Sequence, residues 1–182
     1  PQGGNGGQVE TSSHNNLQAM GNVNASAPFG VAGTWLLDPA DVTINNTGAR
    51  SNVVSTVGPI FTSSGNDAVI NVSSIVNALN IGSNVGINSS SGTGSGTGNI
   101  YIQNTIAANN STSTVLSFNA TGGIIISSGV NMTAGTAPLS VLMTAGENIP
   151  GTGIGTIAFQ GNNTITTHGG NITLSGNANN NN

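Results

Sequence analysis

Between Asp67 and Glu147 the chain carries no charged side chain at all, and over its full 182 residues it has only one Arg, no Lys and five acids. An ordinary soluble domain is about 25% charged. Yet the chain is not greasy. Its mean hydropathy is +0.05, because Gly, Asn, Ser and Thr fill the polar positions. Such a composition suits an architecture that penalises charge and rewards neutral hydrogen-bonding groups. Strands stacked about 4.8 Å apart place equivalent positions directly over one another. Like charges in such a column repel by roughly 1 kcal/mol even at the dielectric of water. Asn, Ser and Thr carry donor and acceptor together, so a column of them can hydrogen-bond along the stack. The fold class expected is all-β, a right-handed parallel β-helix with irregular loops and one short flanking helix.

Disordered chains are poor in β-branched residues and often highly charged, whereas this one is 35% hydrophobic with a net charge of −4. One solenoid domain is expected over residues 1–176, with a frayed Asn-rich tail at 177–182. Without cysteine there is neither disulfide nor thiolate metal site, so packing and backbone pairing must hold the chain. With Arg50 as sole base and a pI near 4.4, it cannot neutralise a phosphate backbone, which excludes nucleic acid and anionic lipid as partners. No 18-residue apolar run is present, so membrane insertion is not expected. Nor is there an initiator Met or signal segment, so a processed or excised piece is expected.

Short alternating stretches bounded by Gly and Asn recur at 98–104, 113–120, 122–129, 130–135, 139–146, 155–161, 163–169 and 170–176. Each has the composition, length and flanking turn residues of a strand. Under period 2 the inward candidates are Tyr101 or its neighbours Ile100 and Ile102, then Val115, Ile125, Leu142, Ile157, Ile165 and Ile172. A one-residue slip inverts any of these faces. Three strands to a coil give about 20 to 25 residues per repeat, some seven coils and a rod about 35 Å long. One segment breaks the rhythm. Val72, Ile75, Val76 and Leu79 fall at i, i+3, i+4 and i+7, which predicts a helix over 72–80 capped by Asn71 or Ser73 and ended by Gly82. Residues 45–66 and 89–98 read as projecting loops.

The chemistry-bearing residues do not assemble into a site. Glu10, Asp38, Asp41, Asp67 and Glu147 could include a pair for sugar hydrolysis, but Asp38 and Asp41 are accounted for by turn chemistry. Beyond Arg50 there is no base to stabilise developing charge. His14 and His168 stand without Cys, Asp or Glu nearby and read as polar loop residues. The Gly-rich stretch GTGSGTG lacks the Asp that a calcium-binding nonapeptide needs, and GTGIGTI at 151–157 has no βαβ context. A nucleophile needs a base and an orienting partner, and no such triplet is legible. No catalysis, cofactor or metal is expected. Thr164, Thr166 and Thr167 raise a glycan- or ice-binding face, though no regular TxT ladder repeats. Asp38-Pro39 reads as a turn between strands at 33–37 and 42–45, and Trp35, between apolar neighbours, as an anchor packed over a coil.

The most specific string spans residues 3–44, with Gln8-Val9-Glu10, then Asn22-Val23-Asn24-Ala25-Ser26-Ala27-Pro28, then Gly33-Thr34-Trp35-Leu36-Leu37-Asp38-Pro39 and Val42-Thr43-Ile44. In order and spacing it resembles a recurrent segment of the filamentous haemagglutinin-like large bacterial exoproteins. Residues 75–106 and 121–146 also resemble segments of that family. The resemblance implies secretion by the two-partner route or as an autotransporter passenger, and a cell-surface or extracellular location. The function expected is a non-catalytic structural segment of an adhesin or extracellular matrix protein. The structural residues are Trp35, Leu36, Leu37, Asp38, Pro39, Ile75, Leu79, Ile125, Leu142, Ile157, Ile165 and Ile172. Two further readings stand beside it: a filament subunit whose open ends stack or exchange strands, and a glycan-binding β-helix. The partners expected are the chain itself, as an end-to-end homopolymer, or glycans and proteins of a host or neighbouring cell surface.

Overall fold

The computed structural model describes residues 3–12, 17–19, 21–38, 41–46, 53–55, 61–63, 67–89, 97–146 and 155–176. In chain order the elements are β1 (Gln8–Ser12), β2 (Gln18–Ala19), β3 (Thr34–Asp38), β4 (Asp41–Asn45), β5 (Val53–Ser55), β6 (Phe61–Ser63) and β7 (Asp67–Asn71). There follow α1 (Val72–Asn80), β8 (Asn84–Ser89), β9 (Ile100–Ile102), β10 (Ile106–Ala107), β11 (Thr114–Ala120), β12 (Ile124–Ile126) and β13 (Met132–Thr133). The last are β14 (Leu139–Ala145), β15 (Ile157–Phe159), β16 (Ile165–Thr166) and β17 (Ile172–Gly176). Each of the eight alternating stretches contains a strand.

From β8 onward the chain visits three sheets in strict rotation. β8, β11, β14 and β17 pair in the first, β9, β12 and β15 in the second, and β10, β13 and β16 in the third, all parallel. None of these sheets closes on itself. The circuits are longer than 20 to 25 residues: Leu116 pairs with Val141, 25 residues on, while Val85 pairs with Leu116 and Val141 with Ile172, 31 residues on. The first sheet therefore holds six strands rather than seven, which span about 24 Å at the usual strand spacing. The extra residues lie in the corners.

Registered pairing makes straight columns. In the first sheet one inward column runs Val9, Trp35, Val85, Leu116, Val141, Ile172, and the next runs Thr11, Leu37, Ile87, Phe118, Met143, Leu174. In the second sheet Ile70, Ile44, Ile102, Ile126 and Phe159 align likewise. Away from the two ends these residues are buried, and they form one continuous core. Ile100 and Ile102 point inward, as expected of them as Tyr101's neighbours, but three other faces are inverted. Val115, Ile125 and Leu142 are only half-buried, while Leu116, Ile124, Ile126, Val141 and Met143 fill the core. The period of two fixes these positions as a set, so a single slip exchanges them all. Ile157 and Ile165 pack against the core.

The N-terminal part departs from simple rotation. β5 and β6 form an antiparallel pair inside the segment read as a loop. The chain then returns to the second sheet as β7, which lies between β2 and β4 rather than following β4. Next comes α1, in the place that a third-sheet strand would occupy, and it contacts β7, β8, β10 and β11. Asn71 caps it, its side chain accepting from Ser73 N–H at 2.8 Å. Ile75, Ala78 and Leu79 are fully buried. Gly82 ends it at φ +86°, where a Cβ would come within 2.6 Å of Thr112 Oγ1, so both backbone and space demand glycine.

The column assignment makes a direct prediction. Phe118→Ala removes a fully buried ring and should cost about 3–5 kcal/mol, whereas Leu142→Ala, on the outer face, should cost under about 1 kcal/mol. Urea unfolding of the two variants checks it, and the reverse order would mean the strands face the other way.

Candidate functional site

Asparagine does more of its work at corners than in columns. Where a parallel ladder stops, backbone groups lose their partners and need substitutes. Asn110, fully buried between β10 and β11, accepts from Gly135 N–H at 2.9 Å and donates to the carbonyls of Thr112 at 2.9 Å and Ala137 at 3.0 Å. Asn99 accepts from Gly123 N–H at 2.6 Å, Asn84 from Val115 N–H at 2.8 Å and Asn131 from Thr164 N–H at 2.8 Å. Each bond joins one circuit to the next. Side-chain rungs of the kind expected are also present, between Asn119 and Asn88 at 3.1 Å and between Asn77 and Asn22 at 2.9 Å.

The carboxylates are placed apart from any shared centre. Asp41, at the start of β4, accepts from Asn99 N–H at 2.8 Å, Thr97 N–H at 3.1 Å and Thr97 Oγ1 at 3.3 Å, pinning the approach to β9. Asp38 ends β3 on the sheet that carries Glu10 in β1. Burial raises its carboxyl above the ordinary 3.8, and the Glu10 carboxylate adds to the rise. The side chain of Asp67 lies outside the described residues, as do Pro39, Arg50, Glu147, His14, most of the 89–98 loop and the 177–182 tail. His168 sits exposed in a turn at φ +49°. Among the described residues no three His, Cys, Asp or Glu gather as metal ligands.

Trp35 is buried in the first-sheet column, and its indole N–H donates to Thr11 Oγ1 at 3.1 Å. It is thus the expected anchor, alongside buried Leu37, while Leu36 lies half-buried on the outer face over Gly86. Thr166 stands beside Thr133 and then Ala107, so no threonine ladder climbs the third sheet.

Two surfaces remain that can meet another molecule. One is a cleft of about 700 Å³ where the loop 26–32, the end of α1 and the entries to β11 and β14 come together. Ser26, Asn80, Asn84, Ser111, Thr112, Ser113 and Ser140 line it with Pro28, Val31 and Ile81, and no acid, base or imidazole does. It can hydrogen-bond and pack, but it has no group to move a proton. Sequence reasoning missed this cleft, since its walls come from four separated segments. The other surface is the C-terminal end of the stack, where β15, β16 and β17 are each the last strand of their sheet. Ile172, expected in the core, stands in the inward column but is 49% exposed, because no strand covers it.

No helix among the described residues is long and apolar enough to cross a membrane. No family model matches the chain, and no curated protein shows significant similarity to it.

Asp38 gives a pH test. Because folding raises its pKa, the ionised carboxylate costs stability above the raised value, and that cost is absent below 3.8. Asp38→Asn should therefore melt higher than the parent at pH 7, by roughly 1–2 °C for a partly exposed group. The two melting curves should converge as pH falls toward 3.8. Thermal melts across that range check it.

Proposed function

We propose that the chain is a secreted structural scaffold, a right-handed parallel β-helix segment of a bacterial surface adhesin or matrix protein of the filamentous haemagglutinin-like type, without catalysis. The observation that carries this reading is the unbroken registered stack: six parallel strands in one sheet with a single apolar core behind them. A stack of this kind gains stability from each neighbour it adds, and its outer face is almost free of charge. The carboxylates whose side chains are described serve corners and strand ends. The resemblance of residues 3–44, 75–106 and 121–146 to exoprotein segments supplies the bacterial surface setting.

The test is display of the chain on a bacterial surface as the passenger of an autotransporter barrel, with the purified chain alongside. The folded chain should reach the surface, give a sheet-type circular dichroism spectrum and resist proteinase K under conditions that digest its heat-denatured form. Cleavage at the denatured rate would refute a rigid scaffold.

The cleft favours a second reading, retention of a neutral glycan. Its walls offer hydroxyl and amide groups beside apolar surface and no charge, which suits uncharged sugar hydroxyls better than an anionic ligand. A glycan array should then show neutral oligosaccharides bound in preference to sialylated or sulfated ones, and an array without hits removes this reading.

A further inference from the structure

We propose that the chain associates head to tail with a second copy of itself, the free edge of β1 in one copy pairing in parallel with the free edge of β17 in the next. This deepens the scaffold reading and rests on it.

At the C-terminal end the columns stop uncovered. Ile172 is 49% and Leu174 47% exposed, whereas Val141 and Met143, their neighbours one strand back, are fully buried. β17 pairs only with β14, so its other edge carries backbone N–H and C=O groups without ladder partners. Such an edge is a template for another strand. The opposite end of the same sheet has the matching condition: β1 pairs only with β3, and Val9 is 38% exposed.

Both edges belong to the same columns, and this sets the register. Val9 heads the column that Ile172 ends, and Thr11 heads the one that Leu174 ends. One strand spacing beyond β17, a parallel β1 sets Val9 on Ile172, Glu10 beside Thr173 and Thr11 on Leu174. Strand direction, face and column all continue. β17 carries no charge, so Glu10 meets no like charge there. Pairing β1 with β1 of another copy would instead bring the two Glu10 carboxylates together. The head-to-tail contact is heterologous and leaves one free edge of each kind, so it propagates rather than closing.

The absence of cysteine makes the register testable. Glu10→Cys in one population mixed with Thr173→Cys in another should form a disulfide or accept a short bis-maleimide across the contact. The double variant E10C/T173C should then give a ladder of covalent oligomers. The displaced pair Gln8→Cys and Thr173→Cys should cross-link at least tenfold less. The double variant I172K/L174K alters positions already exposed in the single chain, so it should keep the parent's circular dichroism and melting temperature while losing concentration-dependent association in sedimentation. The proposal is overturned by a folded parent that stays monomeric at every concentration. It is equally overturned by cross-linking of T173C alone, which would mean tail-to-tail contact. A parent without sheet structure or protease resistance would overturn the scaffold reading and this contact together.

Discussion

Everything in this molecule depends on one spacing. Parallel strands about 4.8 Å apart force each residue to share its surroundings with the equivalent residue one circuit away. In the interior the rule is satisfied by aliphatic side chains, which pack on copies of themselves: Ile44, Ile102 and Ile126 succeed one another in the second sheet, and all are buried. On the exterior it is satisfied by small neutral residues, where a row of charges would repel at every step. Composition and fold are thus two statements of the same constraint.

Corners are where that constraint lapses, and they show why asparagine is so abundant. Asn84, Asn99, Asn110 and Asn131 each use the side-chain carbonyl as a substitute for the peptide carbonyl that the next circuit fails to offer. A carboxylate does the same at one corner, where Asp41 holds the 97–99 approach. Amide groups accomplish this without a desolvated charge, which removes the last reason for the chain to carry many acids. The cleft beside the corner at β11 inherits the same neutral chemistry.

Strand positions, the helix and its cap were legible because they rest on local pattern: flanking Gly and Asn, and the i, i+3, i+4, i+7 spacing of Val72, Ile75, Val76 and Leu79. Facing was harder. Ile124-Ile125-Ile126 is apolar at every position, so alternation says nothing there. In LSVLMTA, however, Ser140 and Thr144 mark the outer face and would have placed Leu142 with them. The same signal from Ser117 and Asn119 sets Leu116 and Phe118 inward. The insertion of β7 between β2 and β4 had no local signature, since it depends on pairings between residues far apart in the chain. Ile172 shows a different limit: its column was right, but exposure depends on what lies beyond it.

The returning strand β7 has a consequence for the order in which the fold can form. β2 finds its partner only at Val69 and Ile70, some fifty residues later, and β4 is held between β7 and β9. The N-terminal third therefore cannot assemble in the order it is synthesised. From β8 to β14 each strand pairs with one a single circuit away, so loop closure there is cheaper. Nucleation belongs to that central stretch, and the N-terminal strands anneal onto it afterwards, with β7 as the piece that locks them.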